Sequence, residues 1–236
     1  MSQLRKVALL AALVFIVPAG FAAEDDPAAK TIELKKGDHI IFFGDSLTQL
    51  AGQEAPKPHV KKGYVRIVRE RLDETHKDKD ITVSWVATGG HRVTNLLARV
   101  DKDVIARKPT IVFIQIGVND AAAGHTSQQF KAGLEELIGR LRKGGARVVL
   151  CSLTSLGEKH DLTNPIDRKL DDLADVARAV AKEQKLPLND LRKAFVAHWK
   201  ANNPDNKPSG ILTYDGNHFN DAGHRFVAEQ MLRRFK

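Results

Sequence analysis

Five short runs rich in apolar and β-branched residues alternate with amphipathic stretches along most of this chain, and that order constrains the fold more than any single residue does. The runs are "HIIFF" (39–43), "ITVSWVA" (81–87), "TIVFIQIG" (110–117), "ARVVLCSLT" (146–154) and "LPLND" (186–190). Between the first two, "GYVRIVRERLDETH" (63–76) places Val65, Val68 and Leu72 at helical spacing. Further helices are predicted over 92–108, ended by Pro109; over 127–145, capped by Thr126 or Ser127 and stopped by Gly144 and Gly145; and over 165–185, with Pro165 in its first turn. Two more close the chain over 191–203 and 221–236. Strands that alternate with helices in this way pair in parallel, with helices on both faces of the sheet. The run 110–117 is the most apolar and is expected at the centre. A chain of 236 residues is long enough for one α/β domain with its own core, and no internal repeat or low-complexity segment suggests a second.

The N-terminus stands apart. In "MSQLRKVALLAALVFIVPAGFAAEDD", Arg5 and Lys6 precede an apolar stretch and then small residues, the three-part layout of a secretory signal. Val7 to Ala23 is 17 residues and contains Pro18 and Gly20, short of the about 20 that a spanning helix needs. Residues 1–23 are therefore expected to be a signal peptide cleaved after Ala22 or Ala23, 24–37 a short linker, and 38–236 the single domain. The mature chain would then be exported, to periplasm or medium, and keep no membrane span. Loss of Arg5 and Lys6 takes Lys+Arg from 37 to 35 against 29 Asp+Glu, a balance of +6. No arginine-rich or aromatic-interleaved stripe accompanies this charge, so it is read as solubility and no nucleic-acid partner is expected. A single cysteine, Cys151, excludes an internal disulfide and reads as a buried thiol. No CxxC, HExxH or His-rich cluster calls for a metal, and no cofactor is expected. Nothing in the sequence speaks to oligomeric state.

In open parallel sheets, ligands sit beyond the carboxyl ends of the strands. Those ends here carry "GDS" (44–46), "TGGHR" (88–92) and "GVND" (117–120), and the last loop carries "YDGNHFNDAGH" (214–224). Asp45 and Ser46 are favoured helix caps, so taken alone Ser46 is a cap as readily as a nucleophile. The other ends supply what a nucleophile lacks. Imidazole titrates near neutrality and suits proton removal from a hydroxyl. A carboxylate fixes the imidazole tautomer. Glycine N–H groups and an asparagine amide are donors for a developing oxyanion.

At these residues the chain resembles the SGNH hydrolases, also called the GDSL esterase/lipase family. "GDSLT" (44–48), "TGGHRV" (88–93), "GVND" (117–120) and "DGNH" (215–218) match its four blocks in order, across nearly the whole mature chain. The "GxSxG" elbow of α/β-hydrolases is absent. The resemblance implies a three-layer α/β/α sandwich on a mostly parallel five-stranded sheet. It implies Ser46 as nucleophile and oxyanion donor through its own N–H, Gly90 and Asn119 as further donors, His218 as general base and Asp215 as its orienter. Many members carry Asn and a further Gly before the second-block glycine, where this chain has Trp85 and Ala87; both Gly89 and Gly90 stay candidates, and the match of "GGHRV" selects Gly90.

Asp45 and Asp120 read as cap or turn formers, His224 as structural, and Trp85 and Trp199 as packing. His91 is either a surface loop residue or a substrate contact, and segment 49–63 is read as a loop beside the nucleophile. The expected activity is ester hydrolysis through an acyl-serine on a small-molecule or carbohydrate ester, with acetyl groups on carbohydrates foremost. The alternatives are a lysophospholipase, lipase or thioesterase of the same family, or a non-catalytic carbohydrate-binding protein on this fold.

Overall fold

The structure, a computed structural model, describes residues 26–236; the expected signal peptide lies outside the described residues. Five parallel strands form one sheet: β1 (His39–Gly44), β2 (Thr82–Ala87), β3 (Ile111–Gln115), β4 (Arg147–Cys151) and β5 (Leu188–Asn189), in the order β2-β1-β3-β4-β5. The register runs through Ile40, which pairs with Val83 on one side and Ile111 on the other. Ile40–Phe43 and every residue of β3 are buried, as strands covered on both faces require. β3 is the central strand, as its apolar run predicts.

Helices α1 (Ser46–Gly52), α2 (Tyr64–Thr75) and α8 (Asp221–Leu232) pack together. Helices α3 (Val93–Asp103), α5 (Ser127–Lys143) and α6 (Asp167–Glu183) form a second group, with α4 (Val118–Ala122) against α6. Helix α7 (Leu191–Asn202) follows β5. Of the side-chain caps of α5, α7 and α8, the sequence singles out only Thr126. Thr126 and Gln129 close a reciprocal capping box at α5, Asp190 caps α7 and Asn220 caps α8. Helix α6 begins at Asp167 after the N-cap Ile166, so Pro165 stands outside the helix and not in its first turn as expected.

Two further readings change. Segment 49–63 is not all loop, because α1 extends to Gly52. The helix is seven residues long and shows only one buried apolar pair, Leu47 and Ala51, too little periodicity to stand out beside Pro56 and Pro58. The described part of the expected linker is docked onto the domain. Ile32 and Leu34 are buried, the Ile32 N–H donates to the Arg234 carbonyl at 2.7 Å, and the Leu188 N–H donates to the Pro27 carbonyl at 2.8 Å. The only sequence signal of this docking is two apolar side chains spaced by two residues, which polar flanks hid.

After β1 the chain turns to β2 on one side, and β3 lies on the other. This is the switch point at which an open α/β sheet opens a crevice beyond its strand ends. Gly44 and Gln115 stand at its two walls.

Candidate active site

Ser46 is the first residue of α1, directly after Asp45, whose Oδ1 accepts the Leu47 N–H at 3.0 Å. Asp45 is thus the cap, as read, and Ser46 is half-buried at the helix start. The first N–H groups of a helix have no acceptor within it, so the Ser46 N–H is free to meet a ligand.

Asp215 and His218 come from the other end of the chain. They sit at the tip of a tight turn closed by a bridge between Thr213 and Phe219. The turn is fixed locally: Asp215 Oδ1 accepts the N–H groups of Asn217 at 3.0 Å and His218 at 2.7 Å. His218 Nδ1 lies 2.8 Å from Asp215 Oδ2, and His218 Nε2 lies 3.1 Å from Ser46 Oγ. A neutral imidazole with its proton on Nδ1 donates to the carboxylate and accepts from the hydroxyl, which is the tautomer this pair of distances favours. Partial burial pushes the Asp215 carboxyl up. Hydrogen bonds from the His218 ring and from the N–H groups of His218 and Asn217 outweigh it and hold the carboxyl below the ordinary range.

The glycine turn after β2 lies against the serine, since a Cβ built on Gly89 would stand 3.6 Å from Ser46 Cβ. The Gly89 N–H donates to Gln49 Oε1 at 3.0 Å. Gly90 has φ +74°, a left-handed conformation that favours glycine, and nothing within 4 Å of where a Cβ would stand. Asn119, on α4, donates from Nδ2 to the His91 carbonyl at 3.0 Å and to Asp45 Oδ2 at 3.4 Å. Its amide is thereby held between the glycine turn and the residue before the nucleophile. Asp45 is fully buried and burial pushes its carboxyl up to about 7, with the Leu47 N–H opposing and the Asp120 charge adding to the rise. Asp120 holds the start of α3 by accepting the Val93 N–H at 3.1 and 3.2 Å.

All five residues singled out from sequence thus lie at the switch point, and three form one hydrogen-bonded row. Sequence reasoning missed the rings beside that row. Tyr214 lies parallel to His218 with centroids 5.8 Å apart, and His59 stacks on Tyr214 at 4.7 Å. Tyr214 immediately precedes Asp215, which was a usable signal; His59 carried none. His59 has φ +67° at the tip of a turn in which Lys57 and Val60 exchange main-chain hydrogen bonds, an unusual conformation for a side chain other than glycine. Among the described residues no group of His, Cys, Asp or Glu is disposed to hold a metal ion.

A parallel α/β sheet with this row at its switch point defines a hydrolase class. Residues 42–226 match the GDSL-like Lipase/Acylhydrolase family, and the chain belongs to that family. An acetylxylan esterase of Geobacillus stearothermophilus is 26% identical over 217 residues, 86% of this chain and 95% of that protein. The uncharacterized lipoprotein YqeF of Bacillus subtilis (strain 168) is 25% identical over 226 residues, 84% of this chain and 91% of that protein. The solved acetyl xylan esterase AlAXEase is 34% identical and matches with a TM-score of 0.75 over 82% of this chain and 98% of its own. The protein is a carboxylic ester hydrolase on the fold its sequence implies.

Proposed function

We propose that this enzyme cleaves short-acyl esters, foremost acetyl groups on carbohydrates, through an acyl-Ser46 intermediate. The observation that carries the reading is the row Ser46 Oγ–His218 Nε2 at 3.1 Å and His218 Nδ1–Asp215 Oδ2 at 2.8 Å. His218 takes the Ser46 proton as Oγ attacks the ester carbonyl, and Asp215 steadies the imidazolium. The charge that develops on the carbonyl oxygen meets the N–H groups of Ser46 and Gly90, and the Asn119 amide once it exchanges its long 3.4 Å contact with Asp45 Oδ2 for the oxyanion. Gly90 is preferred to Gly89 because the Gly89 N–H is already taken by Gln49. Collapse returns the proton from His218 to the leaving alcohol. Water, deprotonated by His218, then releases the acid and restores Ser46.

The choice of acetyl carbohydrates is supported by the names of two relatives that match nearly the full domain, both acetylxylan esterases. The ring stack His59–Tyr214–His218 supports it too: it extends from the base on which the leaving alcohol must draw, where a bulky leaving group needs a wall. Export is supported by the layout of residues 1–23 and is in keeping with a lipoprotein among the relatives. Among the described residues no helix is long and apolar enough to cross a membrane.

The test is a panel of p-nitrophenyl esters of increasing acyl length together with acetylated xylo-oligosaccharides, run on the wild type and Ser46→Ala. Acetyl esters are expected to be turned over fastest, and Ser46→Ala to fold and lose turnover. Unchanged hydrolysis by Ser46→Ala removes the nucleophile. A preference for long acyl chains removes the substrate class.

A further inference from the structure

Glu158 lies in "SLGEKHDLTN", a stretch whose composition reads as a solvated connection, yet its residue exposure is 0%. Its carboxylate accepts three consecutive main-chain N–H groups: Ile211 at 2.7 Å on Oε2, and Leu212 at 2.7 Å and Thr213 at 2.8 Å on Oε1. Burying a carboxylate costs several kcal/mol unless charge-assisted hydrogen bonds replace its water. Here those bonds come from one short run of backbone that belongs to no helix or extended strand and whose N–H groups have no main-chain acceptor.

That run is the root of the turn carrying Asp215 and His218. Thr213 is bridged to Phe219, the Tyr214 N–H donates to the His218 carbonyl at 3.0 Å, and the Asn220 N–H donates to the Leu212 carbonyl at 3.0 Å. The same connection also grips the tip. The Gly157 N–H donates to the Gly216 carbonyl at 2.7 Å, between Asp215 and His218. The Glu158 N–H donates to the Pro208 carbonyl at 2.9 Å, and Asn203 Nδ2 holds the Glu158 carbonyl at 2.8 Å. The connection that follows β4 therefore holds the catalytic turn at root and tip. Ser46 is fixed independently, by β1 and the Asp45 cap. The 3.1 Å contact between Ser46 and His218 joins two separately mounted parts, and the mount of the second is Glu158.

We propose that Glu158 is a positioning residue for the hydrolytic reaction: its buried carboxylate sets the backbone of residues 211–213 and through it the alignment of Asp215 and His218 on Ser46. The inference rests on the roles given to those three residues above. In Glu158→Gln one oxygen becomes an NH₂ that faces main-chain donors, which drives the root of the turn away while leaving side-chain size unchanged. A shift of about 1 Å in a catalytic group costs roughly 100-fold in rate.

The experiment measures kcat and KM for p-nitrophenyl acetate in the wild type, Glu158→Gln and Glu158→Asp, with near-ultraviolet circular dichroism and the downfield proton resonance of the His218 Nδ1–H. The expected result is a fold retained, kcat lower by about 10- to 100-fold, KM nearly unchanged, and the His218 resonance shifted or broadened. Glu158→Asp keeps the charge and should lose less. A folded Glu158→Gln with wild-type kcat and an unmoved resonance overturns the proposal, even if its melting temperature falls. If Glu158→Gln does not fold, Glu158→Asp decides on the same criteria. If neither folds, Glu158 is a folding determinant and the proposal is overturned. Full turnover by Ser46→Ala would instead overturn the reading of the site. A dead Ser46→Ala beside a fully active Glu158→Gln would overturn this inference alone.

Discussion

His224 gives the fold a pH dependence that can be worked from its surroundings. The side chain is fully buried in the first turn of α8, edge-on to the ring of Phe219 and tilted against Tyr64. Its Nδ1 accepts the Tyr64 N–H at 3.2 Å, so that nitrogen must be unprotonated, and Nε2 has no partner among the described residues. Burial lowers the pKa from 6.5 to about 4, with the Asp221 charge opposing. The folded protein therefore holds the neutral imidazole, while the unfolded chain takes up a proton near pH 6.5. Stability from this site is complete above about pH 6.5, falls as the pH drops towards 4, and levels off below. The difference of roughly 2.5 units, at 1.36 kcal/mol each, amounts to about 3 kcal/mol. Asp45 works the other way: its carboxyl, raised to about 7 by burial, costs stability as the pH rises from 3.8 to 7. The wild-type curve alone would mix the two. His224→Asn isolates the histidine, because the Asn carbonyl can still accept the Tyr64 N–H and cannot titrate. Urea unfolding of both proteins, followed by the fluorescence of buried Trp199, should show the stability of the variant relative to the wild type rising by about 3 kcal/mol between about pH 7.5 and 4. A difference that stays flat over that range would refute the assignment of a neutral, buried His224.

Two further outcomes follow from geometry. Gly90→Ala places a side chain at φ +74°, at a cost of about 1–2 kcal/mol. Relaxation of that turn should swing the N–H from its place and lower kcat for p-nitrophenyl acetate by roughly 100-fold; an unchanged kcat would remove Gly90 from the oxyanion donors. Arg192 is 1% exposed, and donates to Asp171 at 2.6 Å, Asp167 at 2.8 Å and the Thr154 carbonyl at 3.2 Å. Arg192→Met leaves Asp167 buried without its cation and should destabilise the fold by about 3–5 kcal/mol in urea unfolding, whereas a loss under 1 kcal/mol would mean that Asn164, which donates to the other Asp167 oxygen at 2.7 Å, suffices.

What was legible in the sequence divides along a physical line. The strands could be read because a parallel sheet covered on both faces demands unbroken apolar runs, and Ile40–Phe43 and Ile111–Ile114 supply them. Ser46, Gly90 and Asn119 could be read because they follow the ends of those runs, where topology requires a ligand site, and Asp215 and His218, which follow no strand, because "DGNH" matches the last block of the family. What could not be read were the parts whose signal is a partner far away in the chain. Glu158 meets residues 211–213 across more than fifty positions, and His59 meets Tyr214 across more than a hundred. Neither has a local pattern, since a charge in a polar stretch and a histidine after a proline look the same whether solvated or engaged. The short helices α1 and α4 were hidden for a related reason. Each is too short to show a periodic apolar face: α1 starts at the Asp45 cap, and α4, which has no side-chain cap, packs against α6.

The block "GDSLT" shows why local chemistry and global site coincide here. Gly44 ends β1 where a Cβ would stand 2.4 Å from the Gln115 carbonyl and 2.5 Å from Thr48 Oγ1, so only glycine lets β1, β3 and α1 converge at the switch point. Asp45 spends Oδ1 on the Leu47 N–H and turns Oδ2 towards the Asn119 amide, so the residue that starts the helix also helps aim a donor. Leu47 anchors the helix in the core, and Thr48 is buried with its hydroxyl 2.8 Å from the Tyr64 hydroxyl and 3.1 Å from Gln115 Oε1. With each neighbour so bound, Ser46 faces the crevice with its hydroxyl and carries an N–H that the helix has no acceptor for. On the mechanism proposed above, being the first residue of a capped helix is what suits Ser46 to its part: the position that leaves its N–H unpaired in the fold is the position from which that N–H would stabilise the oxyanion its own hydroxyl creates.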